Sequence, residues 1–560
     1  MHRLHRFLSR RSCWTGGGTG ASPEWSPSSY HRQRTDISHR STRIRYYART
    51  LEIYNSLGVL PDIMAASAPP PLICDYKLPG GTEIAEVYHI LPHNRPTPDR
   101  PHLNPCTLSQ NLNEAILRSH LSRYGTQVEL GTELHGFEDK GDHIVASIVK
   151  KGPDGSEHTE YYNASYLVGA DGAKGIVRKR LGMTFDGEAY DGLNMVFSDI
   201  RIRGLDHRHW HKWGEMTEAM ILLRYTEEGD RFWLLAGGKA MDTTNLRGEP
   251  ESMKQWIAAL TGRHDIEVME VLTFTNYKPQ MRMVKDFSKG RVYLAGDAAH
   301  VHSPAAAQGM NNGISDAFNL AWRLALAYRS LASTDLMSSY TQERAPIIKT
   351  MLHRTTALMN ENSTTFGKFA SKMGRQDRLP VFQLDLHYRW SPVVLEDPPS
   401  SKAAGSGGHS APDDVEPVHA GNRAPDAPGI VELRNGDNSV KTLFHYFKPT
   451  HHTALIFTSS KVAAIAFVSA LERIPADVVR SALVLPRTAS VRMDNVDSEF
   501  DWISKVDYPL KDCEGQAYDI YSVALYGGDV AVIVRPDGMI GAIVKDGEGV
   551  AKYFQRILTA

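Results

Sequence analysis

Apolar and polar positions along this chain fall into two periods. RTLEIYNSLGVLPDIM, from Arg49, carries apolar residues at helical spacing and then Gly58 as a stop signal. LSQNLNEAILRSHLSRYG reads the same way, with Ser109 as cap, Leu112, Ile116 and Leu117 on one face, and Gly125 at the end. VELGTELHGFED and HIVASIVKKG alternate as strands do, and KGPDGSE is a turn. ASYLVGADG and GRVYLAGDAAH predict buried strands running into glycine turns. Between about Phe185 and Tyr277 short strand-like runs dominate (MVFSDIRIRG, AMILLRY, RFWLLAGG), and ISDAFNLAWRLALAYRSL predicts a strongly apolar helix. Ala403 to Asn422 is poor in large apolar groups and reads as a linker. After it, TALIFTSS, KVAAIAFVSALERI, SALVLPRT and DVAVIVRP predict a compact α/β unit.

With 560 residues the chain has room for about two to four domains. A formal net charge of -1 implies no broad attraction to nucleic acid or to an acidic membrane. No apolar run is long enough to cross a bilayer. Cys13, Cys74, Cys106 and Cys513 are scattered and make no CxxC, which suits a reducing compartment and a cytoplasmic protein. The leader Met1 to Trp14 has arginines and no acid, like a mitochondrial presequence, but is expected to be an artefact. His207, His209 and His211 alternate, yet Arg208, Trp210 and Lys212 between them favour a solvated strand or loop over a metal site, so no metal is expected.

Gly290 to Ala325, GRVYLAGDAAHVHSPAAAQGMNNGISDAFNLAWRLA, carries the most chemistry. A buried strand ends in Gly296 and Asp297, which sets an acid at the rim of a sheet, where ligands of open α/β sheets sit. Pro304, small alanines, Gly309 and Gly313 then let backbone approach something flat or bulky. A helix begins at about Gly313, and its N-terminus favours negative charge. By contrast WTGGGTGASPEW, Trp14 to Trp25, has dinucleotide-loop glycines but no buried strand before them, and Pro23 and Pro27 where the helix should run.

The Gly290 to Ala325 segment resembles the second FAD-binding signature of the flavoprotein aromatic hydroxylases, the group of p-hydroxybenzoate hydroxylase and phenol 2-monooxygenase. The resemblance implies that Asp297, after Gly296, holds the ribityl chain of FAD. It implies that the loop through Pro304, Gly309, Met310 and Asn311 lies along the isoalloxazine. Ala306 and Ala307 stand where many members have two glycines. YLVGADGAKGIVRKRLG resembles the family's Asp-Gly signature, so Asp171 and Gly172 would contact the diphosphate region and Arg178 would shape the FAD and nicotinamide sites. The family usually has Ser where this chain has Gly175. LSQNLNEAIL and RTLEIYNSLGVLPDI imply flavin contacts by Gln110 and Arg49. Residues 421–429 and 518–541 resemble the thioredoxin-like tail of the phenol hydroxylase branch, although without a cysteine pair no thiol redox activity is expected.

The implied fold is α/β with α+β elements: an FAD-binding Rossmann-like domain (49–184 and 280–358) interleaved with a substrate-binding β-sheet domain (185–279). A helical or extended connection (359–402), the linker (403–422) and a thioredoxin-like domain (423–560) follow. The family's ADP-binding βαβ unit should precede Arg49. A one-base frame shift lets Glu24 to Ala48 encode text close to that of the family, so residues 1–48 are expected to be out of frame.

The implied chemistry is NAD(P)H reduction of FAD, addition of O2 to give a flavin C4a-hydroperoxide, and hydroxylation of a small phenolic or aromatic substrate. Arg282 and Tyr277, just before the signature, are the candidate catalytic residues. Epoxidation, Baeyer–Villiger insertion, an uncoupled oxidase and a flavin-free remnant are the alternatives, and a homodimer is the expected assembly.

Overall fold

The computed structural model describes residues 43–91, 93–152, 154–189, 194–226, 229–241, 243, 246–302, 308–360, 382–400, 417–434, 439–489, 503 and 505–559. The glycine-rich leader and Pro304 lie outside the described residues.

The predicted first helix, α1 (Ala48–Ser56), buries Leu51, Ile53 and Tyr54, and Gly58 follows with φ +71°. It is preceded by a strand, Arg43–Tyr46, paired antiparallel with Cys106–Ser109. The second helix, α2 (Gln110–Ser122), starts where Ser109 predicted. Its packed face is partly the expected one: Ile116 and Leu117 pack against the core of Tyr46, Leu51 and Tyr54. Leu112 points outward, 48% exposed, while Asn113 and His120 are buried. Tyr54 donates to the Asn113 Oδ1 (3.0 Å) and His120 pairs with Asp62 (2.6 Å), so polar contacts orient the helix.

The strand-rich middle forms a seven-stranded sheet. Its order is Glu267–Tyr277, Asn194–Arg203, Arg231–Gly238, Met220–Tyr225, Trp210–Gly214, Leu72–Tyr76 and Ile84–His89. The last two strands come from the stretch assigned to the FAD-binding domain, so the 49–184 boundary is corrected. Leu72–Tyr76 pairs parallel with Trp210–Gly214, and the Trp213 indole N–H donates to the Gly81 carbonyl in the hairpin (2.9 Å). One face of the sheet packs Val196, Ile221, Leu223 and Leu234 against Met253 and Ile257 of the Pro250–Thr261 helix. The opposite face sets Met195, Phe197, Leu222, Leu235 and Tyr277 against Tyr47 and Phe382. Strand alternation therefore gives each face its own core.

Two long helices follow, α3 (Gly309–Tyr328) and α4 (Thr334–Asn360). Helix α3 begins four residues earlier than the sequence suggested, at Gly309 instead of Gly313. The C-terminal unit is an eight-stranded sheet ordered Leu395–Glu396, Ile540–Val544, Val530–Val534, His452–Phe457, Val479–Leu485, Tyr508–Asp512, Ile430–Glu432 and Val440–Lys441. Its inner strands are mostly apolar because helices or loops cover both faces. Two expected boundaries are corrected here. Leu395–Glu396, from the supposed connection, is an edge strand paired parallel with Ile540–Val544. The end of the supposed linker is built in as well. The Gly421 N–H donates to the Ile540 carbonyl and its own carbonyl accepts from the Tyr388 N–H, both at 2.7 Å.

Candidate functional site

Leu167–Gly169 and Val292–Leu294 are neighbours in a parallel pair, with Leu294 opposite Gly169, and the Ala295 N–H donates to the Gly169 carbonyl (3.0 Å). The two sequence signatures, more than a hundred residues apart, thus emerge side by side at the carboxyl ends of adjacent strands. That is where open α/β sheets bind ligands.

The second strand turns at Gly296, whose φ of +58° favours a residue without a Cβ. The turn packs on α3, where a Cβ at Gly296 would stand 3.6 Å from the Gly313 Cα. The Gly296 N–H donates to the Asp316 Oδ2 (2.9 Å). Next to it Asp297 is half-buried, and among the described residues its carboxylate accepts no hydrogen bond. Burial pushes that carboxyl up to about 6, although His300 pulls it back. Tyr277 lies within electrostatic reach: burial first, then the Asp297 charge, raises its phenol.

The first strand leads to Asp171. Its Oδ2 accepts the Val177 N–H (2.9 Å) and so tethers the start of the Ile176–Arg180 helix. Its Oδ1 is buried without a partner, and burial raises this carboxyl too. A Cβ at Gly175 would stand 2.2 Å from that carboxylate. The glycine found where the family usually has serine is therefore what lets Asp171 fold inward. Arg178 donates to the Ala298 carbonyl (3.2 Å) and to that of Ala173, with its guanidinium 4.0 Å over the Phe185 ring. It joins the two loops to each other.

At the start of α3, Gly309 opens the first turn, whose backbone N–H groups have no partner within the helix. Asn311 is fully buried. Its Oδ1 accepts from the Tyr47 N–H (3.1 Å) and the Thr50 hydroxyl (2.7 Å), and its Nδ2 donates to the Arg45 carbonyl (3.0 Å). Gln110 is buried at the start of α2 and donates to Glu114 (2.9 Å).

Other expected site residues have partners within the protein. Arg49 donates to Glu52 (3.0 Å) and to the Asp537 carbonyl (2.6 Å), and so ties α1 to the C-terminal unit. The Met310 side chain packs in a core with Tyr46, Leu51 and Tyr54, which leaves only its backbone for a ligand. Arg282 is half-buried on Gln280–Met283, opposite Val301, and donates to Gln280 (3.1 Å). The three histidines do not converge. His207 stacks on Tyr225, His209 pairs with Asp206, and the buried His211 meets the Tyr76 hydroxyl (2.9 Å) and the Asp206 carbonyl (2.9 Å). Among the described residues no group of histidine, cysteine or acidic side chains is arranged to hold a metal.

Sequence reasoning missed Asp316, His300 and Arg344. The fully buried Asp316 accepts from Gly296, from the His300 Nε2 (2.8 Å) and from the Arg344 Nε (2.6 Å). Burial alone would raise the Asp316 carboxyl, but Arg344 and His300 hold it below its ordinary value. An acid inside an apolar helical stripe was the available signal, since a buried charge needs a partner.

These groups fit the cofactor implied by the sequence. Asp297 and the Asp171 Oδ1 are desolvated acceptors that suit hydroxyl donors, and the α3 N-terminus suits negative charge.

Comparison with known proteins agrees. Residues 31–355 match the family described as FAD binding domain. That match starts upstream of Arg49, and the packed strand Arg43–Tyr46 lies within it. The match thus takes in residues 31–48, part of the stretch expected to be out of frame. A flavin-dependent monooxygenase of Mycobacteroides abscessus is 28% identical over 91% of this chain and 90% of its own. Pentachlorophenol 4-monooxygenase of Sphingobium chlorophenolicum is 27% identical over 68% of this chain and 67% of its own. The crystal structure of aklavinone-11 hydroxylase with FAD and aklavinone shares the fold, with a TM-score of 0.70 at 21% identity, covering 94% of this chain and 93% of that one.

Proposed function

Since the chain belongs to the FAD-binding domain family and is a FAD-dependent monooxygenase, we propose that it uses NAD(P)H and O2 to hydroxylate a small phenolic molecule. The observation that carries this reading is Asp297, a desolvated carboxylate with no hydrogen-bond donor among the described residues, beside the start of a long helix. When bound, FAD would supply hydride acceptance and oxygen activation. Asp297 would hold a hydroxyl of its chain. The α3 N-terminus would face its anionic edge. The apolar sheet face with Met195, Phe197 and Tyr277 would keep water out. Tyr277, with its phenol raised, stays protonated and acts as a hydrogen-bond donor rather than a base. A phenolic substrate is supported by the similarity to pentachlorophenol 4-monooxygenase.

The remaining assignments belong to the same reading. The C-terminal unit is thioredoxin-like, supported by its order of a parallel pair, His452–Phe457 with Val479–Leu485, next to the antiparallel hairpin of Val530–Val534 and Ile540–Val544. The chain is placed in the cytoplasm, a reading supported by the free Cys74, Cys106 and Cys513. Among the described residues no helix is long and apolar enough to cross a membrane.

The test is to reconstitute the chain with FAD and follow NAD(P)H oxidation over a panel of phenols, with 18O2 and mass and NMR analysis of products. Ring hydroxylation with one labelled oxygen supports the proposal. A ring-expanded ester or an epoxide replaces it with the alternative chemistry, and peroxide without product makes the chain an oxidase.

A further inference from the structure

Neighbouring residues of α4 reach in two directions. Arg344, fully buried, donates from Nε to Asp316, which in turn holds the Gly296 N–H, and from Nη1 to the Tyr388 hydroxyl (3.0 Å). Glu343, also fully buried, accepts both terminal nitrogens of Arg535 in the C-terminal unit (2.8 and 2.9 Å). It also accepts from Asn319 and pairs with Arg323, both on α3 (2.8 and 2.7 Å). The Arg535 guanidinium lies 5.6 Å over the Tyr388 ring, and its Nε donates to Asp537 (3.0 Å). Tyr388 is itself fixed by its backbone bond to Gly421 (2.7 Å).

A continuous buried path therefore runs from the turn bearing Asp297 to the C-terminal sheet: Gly296, Asp316, Arg344, Tyr388, Arg535. Each step is a hydrogen bond or a ring contact, and every side chain in it is essentially inaccessible to water. Buried polar groups of this kind are held only in geometries that satisfy all partners, so displacing one member shifts the next.

We propose that Glu343, Arg344 and Tyr388 are positioning residues that make flavin binding at the Gly296–Asp297 turn depend on the docked C-terminal unit. The inference rests on the flavin reading of that turn. It assigns the C-terminal unit a task that needs no thiol: it sets the far end of the path that orients the turn.

The experiment uses the full chain and three variants. Tyr388→Phe removes one hydroxyl, Glu343→Gln removes one charge, and Arg480→Ala breaks a half-exposed ion pair with Asp507 inside the C-terminal unit, away from the path. FAD dissociation constants come from flavin fluorescence quenching. Amide exchange of the Gly296 turn is read by mass spectrometry on flavin-free protein. Tyr388→Phe and Glu343→Gln should weaken FAD binding about tenfold, within the usual range of site-to-site coupling, and speed exchange at the turn. Arg480→Ala should lower thermal stability yet leave both readouts within twofold of the parent. Unchanged FAD affinity and exchange in Tyr388→Phe and Glu343→Gln overturns the proposal, as does an equal effect from Arg480→Ala. A parent chain that binds no FAD refutes the flavin reading instead, and the exchange measurement then decides the coupling by itself.

Discussion

Gly175→Ala adds one methyl group at a position where the backbone (φ -52°, ψ 152°) accepts alanine without strain. By itself the change should stabilise by about 0.4–1 kcal/mol, because the unfolded chain loses freedom. Against this, the new Cβ would stand 2.2 Å from the Asp171 carboxylate, so the carboxylate has to leave. Its departure frees the Val177 N–H that it caps at 2.9 Å, a loss of about 0.5–2 kcal/mol by analogy with helix caps. The net expectation lies between about 0.5 kcal/mol of stabilisation and about 1.6 kcal/mol of destabilisation. In an Asp171→Ala background the clash and the cap are both absent, and the same substitution should stabilise. The coupling energy between the two sites is then the lost cap, about 0.5–2 kcal/mol. Urea unfolding of the parent, the two single variants and the double variant, followed by a probe in the N-terminal part of the chain, measures it. Equal effects of Gly175→Ala in both backgrounds would show that the carboxylate does not lie over the glycine.

Other expectations are independent of that one. Gly296→Ala should cost about 1 kcal/mol, because φ +58° is strained for a side chain, and should weaken FAD binding, read by fluorescence titration. Asp297→Asn should stabilise the flavin-free chain at pH 8 but not at pH 4. A carboxyl raised to about 6 favours the folded state below its unfolded pKa and loses that contribution as pH rises through 6; thermal melts at both pH values check it. His452 behaves oppositely. Burial lowers it to about 3, so its contribution is present above about pH 6.5 and is lost as pH falls toward 3. His452→Phe, set among Trp322, Tyr553 and Phe554, should flatten that acid-side loss in urea melts.

Much of this architecture is legible in the sequence because its signals are local. Two strand-to-glycine turns, a strand-rich middle and an apolar helix follow from periodicity, and the structure places them accordingly. What periodicity does not carry is pairing between distant segments. Nothing in Leu72–Tyr76 announces that it joins a sheet most of whose strands begin at Asn194, because the parallel pairing with Trp210–Gly214 is decided by three-dimensional closure. Likewise Arg49 carries a flavin-family motif but meets its partner at Asp537, 488 positions away. Asp316 was readable only as an anomaly, an acid in an apolar stripe, and its partners His300 and Arg344 could not be named from spacing.

The edge strand Leu395–Glu396 bears on how this protein can be taken apart. The region around residue 410 invites a cut between an N-terminal enzyme and a C-terminal accessory piece. A fragment beginning after that cut would leave Ile540–Val544 as a bare apolar edge, with a row of unpaired backbone groups open to any other chain. Fragments intended to fold alone should therefore begin upstream of Tyr388. The same geometry makes a natural exchange of this tail between relatives costly unless the strand travels with it.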